Sequence, residues 1–120
     1  MRVLFCGDRD WTDHAMIEAA VVKLPPNTVI IHGACRGADR IAGKEGRLHS
    51  FKVIPFPAEW ALYGKAAGPI RNEQMINEGL PAIVYAFHDH LDQSTGTRDM
   101  IDKAESVGIP VTLFTHREQR

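Results

Sequence analysis

The chain has 120 residues, 44% hydrophobic and 24% charged, with a formal net charge of −1. That length fits one core able to bury roughly two thirds of its unfolded surface, and no apolar run approaches the roughly 20 residues of a bilayer span. Near-neutrality excludes a global field for the phosphates of a long nucleic acid, so any anion site must be local.

The opening "MRVLFCGDRDW" turns polar after a handful of apolar residues, unlike a signal peptide, and a cytoplasmic protein without a membrane partner is expected. Its first run, "RVLFC" (2–6), is apolar and reads as a strand. The polar "GDRDWTD" follows, and Thr12 or Asp13 can cap a helix on which Ala15, Met16, Ala19, Ala20 and Lys23 step round one face. A second strand is expected at "TVIIHG" (28–33), followed by "HGACRGADR", which turns into a helix. "FKVIPF" (51–56) is the third strand, and an irregular stretch over 57–68 leads into a helix at "GPIRNEQM". "AIVYAF" (82–87) is the fourth, with a second irregular stretch over 88–96. Met100, Ile101, Ala104 and Val107 mark the last helix, which Gly108 stops before a fifth strand at "PVTLF" (110–114). A single domain over 1–115 and a fraying polar tail over 116–120 are expected.

Apolar strands alternating with helices predict an α/β fold, a Rossmann-like three-layer sandwich around a five-stranded, mostly parallel sheet. In such sheets ligands lie at the carboxyl ends of the strands, near the point where strand order reverses. The loops after the first four strands hold the Gly, charged and hydroxyl residues, so polar chemistry should gather on that edge.

In "HGACRGADR", Gly33 and Gly37 let backbone approach a ligand, the helix start offers free N–H groups, and Arg36 could clamp a phosphate while Asp39 caps the helix or binds a ribose hydroxyl. Alternatively the glycines only close the turn and Arg36 pairs with Asp39. "STGTRD" repeats the device, with Gly96 for backbone approach and Ser94, Thr95 and Thr97 as donors, although Thr97 could equally be an N-cap. Arg71 stands near a helix amino end, where the dipole disfavours a cation, which suggests service to a ligand. Glu73 projects roughly 200° away from it around a regular helix.

"HDHLD" brings His88, Asp89, His90 and Asp92 close in sequence, but with no third anchoring motif an exposed loop is favoured and no metal or other cofactor is expected. His32 reads as a satisfied buried imidazole rather than a base. Trp11, Trp60 and Tyr63 offer faces for a nucleobase or for packing, with packing favoured for Trp60. Cys6 and Cys35, without partners at metal-ligand spacing, read as free thiols.

Taken together, "GDRDWTD", "IIHGACRGADRIA", "PAEWALYGKAAGPIRNEQMI" and "GTRDMIDKAESVGIPV" resemble the YspA-type branch of the SLOG superfamily, small Rossmann-like domains related to DprA/Smf proteins and to the LOG phosphoribohydrolases. The resemblance runs from Met1 to about Leu113. It implies a nucleotide or nucleotide-derived ligand, held by a sensor or acted on by an enzyme that cuts an N-glycosidic bond, and a homodimer by analogy. Arg71 and Met75 fit the spacing of the LOG helix start R-K-x-x-M, with Asn72 at the Lys; Gly96 and Thr97 match its G-T, with Met100 at the Glu and Asp99 one residue early. The residue reading and the resemblance together give Gly7, Arg9, Gly33, Arg36, Gly37, Asp39, Gly96 and Thr97 as candidate ligand contacts, and Arg71, which the resemblance transfers, with Glu73 and Asp99, carboxylates that no complete motif places, as catalytic candidates. Three functions follow as expectations: a nucleotide-binding module, a nucleotide N-glycoside hydrolase, or a protein-interaction domain. An extended basic groove for single-stranded DNA is not apparent.

Overall fold

Five runs rich in β-branched and aromatic residues form strands β1 (Arg2–Gly7), β2 (Val29–His32), β3 (Lys52–Pro55), β4 (Ile83–Phe87) and β5 (Val111–Phe114) in a computed structural model that describes residues 1–117. All four pairings are parallel and the strand order is β3-β2-β1-β4-β5. Order therefore reverses between β1 and β4, which pair from Val3↔Ile83 to Gly7↔Phe87. Of the polar tail expected over 116–120, residues 118–120 lie outside the described residues.

Helices α1 (His14–Val22), α2 (Ala38–Leu48), the short α3 (Trp60–Tyr63), α4 (Ala67–Gly79) and α5 (Gly96–Ser106) make the connections. Alternation along β1 divides the core: Val3 and Phe5 pack with Ile17, Val21 and Ile41 of α1 and α2, whereas Leu4 and Cys6 pack with Met75, Ile76, Met100 and Ala104 of α4 and α5. Helices thus cover both sheet faces, which is the predicted Rossmann-like sandwich, here with a wholly parallel sheet.

Asp13 caps α1 by accepting the Met16 N–H at 3.0 Å. Its buried face is Ile17, Ala20 and Val21, so Ala15 and Ala19, expected on that face, are exposed. Gly108, at φ +79°, ends the turn after α5 where the Ile109 N–H returns to the Ala104 carbonyl, as its position in the sequence predicts. The two irregular stretches hold α3 with a 3-10 turn at Gly64–Ala66, and a second 3-10 turn at Leu91–Gln93.

His116, the first residue of the expected tail, packs on the domain. Its ring stacks on Trp11 with centroids 4.7 Å apart, while Nδ1 and Nε2 meet Asp89 at 2.8 Å and Asp13 at 2.7 Å. These contacts raise the His116 pKa and hold Asp13 and Asp89 below the usual carboxylate range.

Candidate functional site

A crevice of about 490 Å³ opens at the carboxyl edge of the sheet, above the β1/β4 reversal. The β1 loop contributes Gly7, Asp8, Arg9 and Asp10, the β2 turn Arg36, and the β4 loop His88 and Ser94 to Thr97, with Asp99 behind them on α5. The segment from α3 into α4 adds Trp60, Lys65, Gly68, Pro69 and Asn72.

Three cations and an exposed indole face this space. Arg36 reaches Asp10 at 3.1 Å, but both side chains are largely exposed, so the pair is weak and Arg36 can turn to a ligand anion. Arg9 lies over the Trp60 ring, 5.8 Å from its centroid. Trp60 is 47% exposed, so it borders the crevice instead of packing under the loop as expected. Trp11 is the buried one, edge-on to Phe87, with its Nε1–H donating to the Asp13 carbonyl. Tyr63 is half exposed and lines a second hollow, with Glu73, Arg71 and Ile70.

The glycines divide by what a side chain would meet. A Cβ at Gly96 meets nothing within 4 Å, leaving the α5 amino end open, with the Thr97 N–H bonded back to Ser94 Oγ at 3.1 Å. At Gly7 it would come 2.3 Å from the Phe87 carbonyl oxygen, and at Gly37, where φ is +77°, 2.4 Å from that of Asp8. Gly37 therefore lets the β2–α2 turn close on the β1 loop, where the Ala38 N–H donates to Asp8.

Gly33 makes room for another side chain of the protein, since a Cβ there would lie 2.5 Å from Arg71 Nη1 and 2.9 Å from Asp39 Oδ2. Arg71 is buried and donates through Nη1 to the Gly33 carbonyl, through Nε to Asn72 Oδ1 at 2.9 Å, and through Nη2 towards Cys35 Sγ at 3.6 Å. Asp39, also buried, accepts the Gly33 N–H at 2.9 Å and the Cys35 N–H at 3.5 Å. Burial pushes its carboxyl up to about 6, against the opposing pull of Arg71, these N–H groups and Arg9. The arginine that the helix dipole marked out thus serves the chain's own β2–α2 turn. Gly33, Gly37, Asp39, Arg71 and Glu73 stand outside the crevice lining, whereas Gly7, Arg9, Arg36, Gly96, Thr97 and Asp99 are brought together in it. Arg36 does not pair with Asp39.

Asn72 joins the buried cluster to the crevice. With Oδ1 taken by Arg71, its amide nitrogen donates to Asp99 Oδ2 at 2.9 Å and the Gly96 carbonyl at 3.3 Å. Lys103 holds the other Asp99 oxygen at 2.5 Å. Asn72 and Lys65 lie inside the quoted "PAEWALYGKAAGPIRNEQMI" stretch, but sequence reasoning gives neither a role, because no local pattern shows that Asn72 bridges Arg71 to Asp99 or that Lys65 faces the crevice.

The "HDHLD" residues do not assemble as a metal set. His88 Nδ1 accepts the His90 N–H at 2.9 Å, while Asp89 binds Thr115 and His116. His88 instead lines the crevice. His32 is buried, accepts the Ala34 N–H through Nδ1, and has its pKa pushed down to about 4 by burial and by Arg47 and Arg71. Cys6 and Cys35 are free, and burial drives the Cys6 thiol well up. Among the described residues, no helix is long and apolar enough to cross a membrane.

Comparison with known proteins gives the chain's family. The Gene 61 protein of Mycobacterium phage D29 is 37% identical over 122 residues, an alignment covering 94% of this chain and 95% of that protein. A family model for the YspA, cpYpsA-related SLOG family matches residues 1–63, which hold the β1 loop, the β2–α2 turn and Trp60. That match takes in more than half of the chain, and the protein belongs to the YspA, cpYpsA-related SLOG family.

Proposed function

We propose that the crevice binds a nucleotide or nucleotide-derived small ligand. The observation that carries this reading is the meeting of Arg9, Arg36, Lys65 and the open amino end of α5 with the exposed Trp60 indole, in one space at the sheet's reversal point. Its volume lies within the roughly 300–1,000 Å³ usual for small-molecule sites. The cations and the helix end suit a phosphate, Trp60 suits a base, and Asp99, whose carboxylate oxygens can each accept a further hydrogen bond, suits a ribose hydroxyl. Gly37 and Asp39 hold the β2–α2 turn from behind, while Gly33 and Arg71 line a neighbouring hollow that shares Arg9, Arg36 and Trp60 with the crevice. Family membership favours the same ligand class.

Calorimetric titration of a nucleoside 5′-monophosphate against its parent nucleoside tests the reading. The monophosphate should bind more tightly, and Arg36→Ala should weaken it roughly tenfold, the loss of one charge-assisted contact, without affecting the nucleoside. Equal binding of the two would refute the phosphate seat, and binding of neither would refute the crevice as a nucleotide site.

Asp99 supports a second reading, an N-glycoside hydrolase. A carboxylate held by Asn72 and Lys103 at the crevice could stabilise an oxocarbenium-like centre or orient water. Of the three catalytic candidates it alone reaches that space, leaving Arg71 to position it through Asn72 and Glu73 without a part. Free base released from a nucleoside monophosphate, and lost in Asp99→Asn, would establish the activity; no release would leave a sensor.

A further inference from the structure

On the helical layer formed by α1 and α2, Glu18, Glu45 and His49 converge. His49 Nε2 lies 3.2 Å from Glu18 Oε2 and 3.8 Å from Glu45 Oε2, and all three ligand-type atoms fall within 4.8 Å of one another. Glu45 and His49 are four residues apart at the end of α2, a spacing that puts both on one helix face, and Glu18 reaches across from α1. The Glu45 side chain is nine-tenths buried, and its Oε2, the atom turned into the cluster, has no hydrogen-bond partner. A buried carboxylate oxygen left unpaired costs free energy, and the 3.8 Å gap to His49 is too long for a hydrogen bond to offset it.

We propose that Glu18, Glu45 and His49 form a divalent-metal site of the zinc class that ties α1 to α2. The donor set is one imidazole nitrogen with two carboxylate oxygens, which suits zinc better than magnesium or calcium, whose sites are built from oxygen. Tetrahedral zinc with bonds of about 2.0–2.2 Å holds its ligand atoms roughly 3.3–3.6 Å apart, close to the two separations from His49, and rotation of the half-exposed Glu18 side chain can close the third. The metal would satisfy Glu45 Oε2 and leave one coordination position for water. Because α2 runs from the carboxyl edge of the sheet to its amino edge, the site lies at the far end from the nucleotide crevice. Its role is to fasten two helices, and it is independent of what the crevice binds.

Chelator-stripped full-length protein titrated with zinc chloride in a calorimeter tests this. One equivalent should bind and raise the melting temperature, and His49→Ala and Glu18→Ala should each weaken binding roughly tenfold or more and abolish the rise. Glu18 is half exposed, so its variant decides the matter even if Glu45→Gln fails to fold. Absence of zinc binding, binding that persists unchanged in both variants, or magnesium binding as tight as zinc would each overturn the proposal.

Discussion

Arg71 shows how a residue's chemistry can be legible while its partner is not. A cation near a helix amino end needs a compensating anion, and the sequence marks that need. The compensation comes from Asp39 and from the Gly33 carbonyl 38 residues away, a separation on which no local pattern reports. Removing Arg71 leaves Asp39 buried beside an empty socket. Arg71→Ala should therefore lower unfolding stability by roughly 1.5–3 kcal/mol through its lost hydrogen bonds and its lost pull on Asp39, and adding Asp39→Asn should recover part of the loss; urea denaturation of the single and double variants measures both. His32 and Asp39 also predict opposing pH dependences. Between its folded pKa of about 4 and the ordinary 6.5, His32 binds fewer protons folded than unfolded, so this group lowers stability as pH falls through that window, by up to roughly 3 kcal/mol. Asp39 binds more protons folded than unfolded between 3.8 and about 6, so its contribution fades as pH rises through that range. Plotted from pH 4 to 7, the urea midpoint should fall less on acidification in His32→Asn and more steeply in Asp39→Asn than in the parent.

The strands were legible as elements because each is a short β-branched or aromatic run closed by Gly, Pro or charge, and their bounds differ from the expected ones by at most a residue at each end. The face of α1 was not. "HAMIEAAVV" carries Ala, Met, Ile or Val around most of its circumference, so periodicity alone does not choose between faces, and packing against Val3, Phe5 and α2 does. The short α3 is four residues long, below any periodic signal, and it is the element that carries Trp60 to the crevice. One helix end carries avoidable strain. Leu80, the residue after α4, sits in the left-handed region at φ +51° and is 67% exposed, so it gives little packing in return. Leu80→Gly should raise stability by about 0.5–1 kcal/mol, seen as a higher melting temperature.

For the molecule as a whole, the location of the candidate site followed from topology. A parallel sheet reversing between β1 and β4 gathers the loops after its strands on one edge, and the loops rich in Gly, charge and hydroxyl meet there. What the sequence left open was which glycines face a ligand and which face the chain. Gly96 opens on space, while Gly7, Gly33 and Gly37 each admit another part of the protein, a difference that only tertiary contacts decide. The most direct test is amide and indole chemical-shift mapping during titration with a nucleoside 5′-monophosphate. The shifts should concentrate on Gly7 to Asp10, Ser94 to Asp99 and the Trp60 indole, and α1 and the amino edge of the sheet should stay silent. Shifts confined to other surfaces, or none at saturating ligand, would contradict nucleotide binding at the β1/β4 crevice.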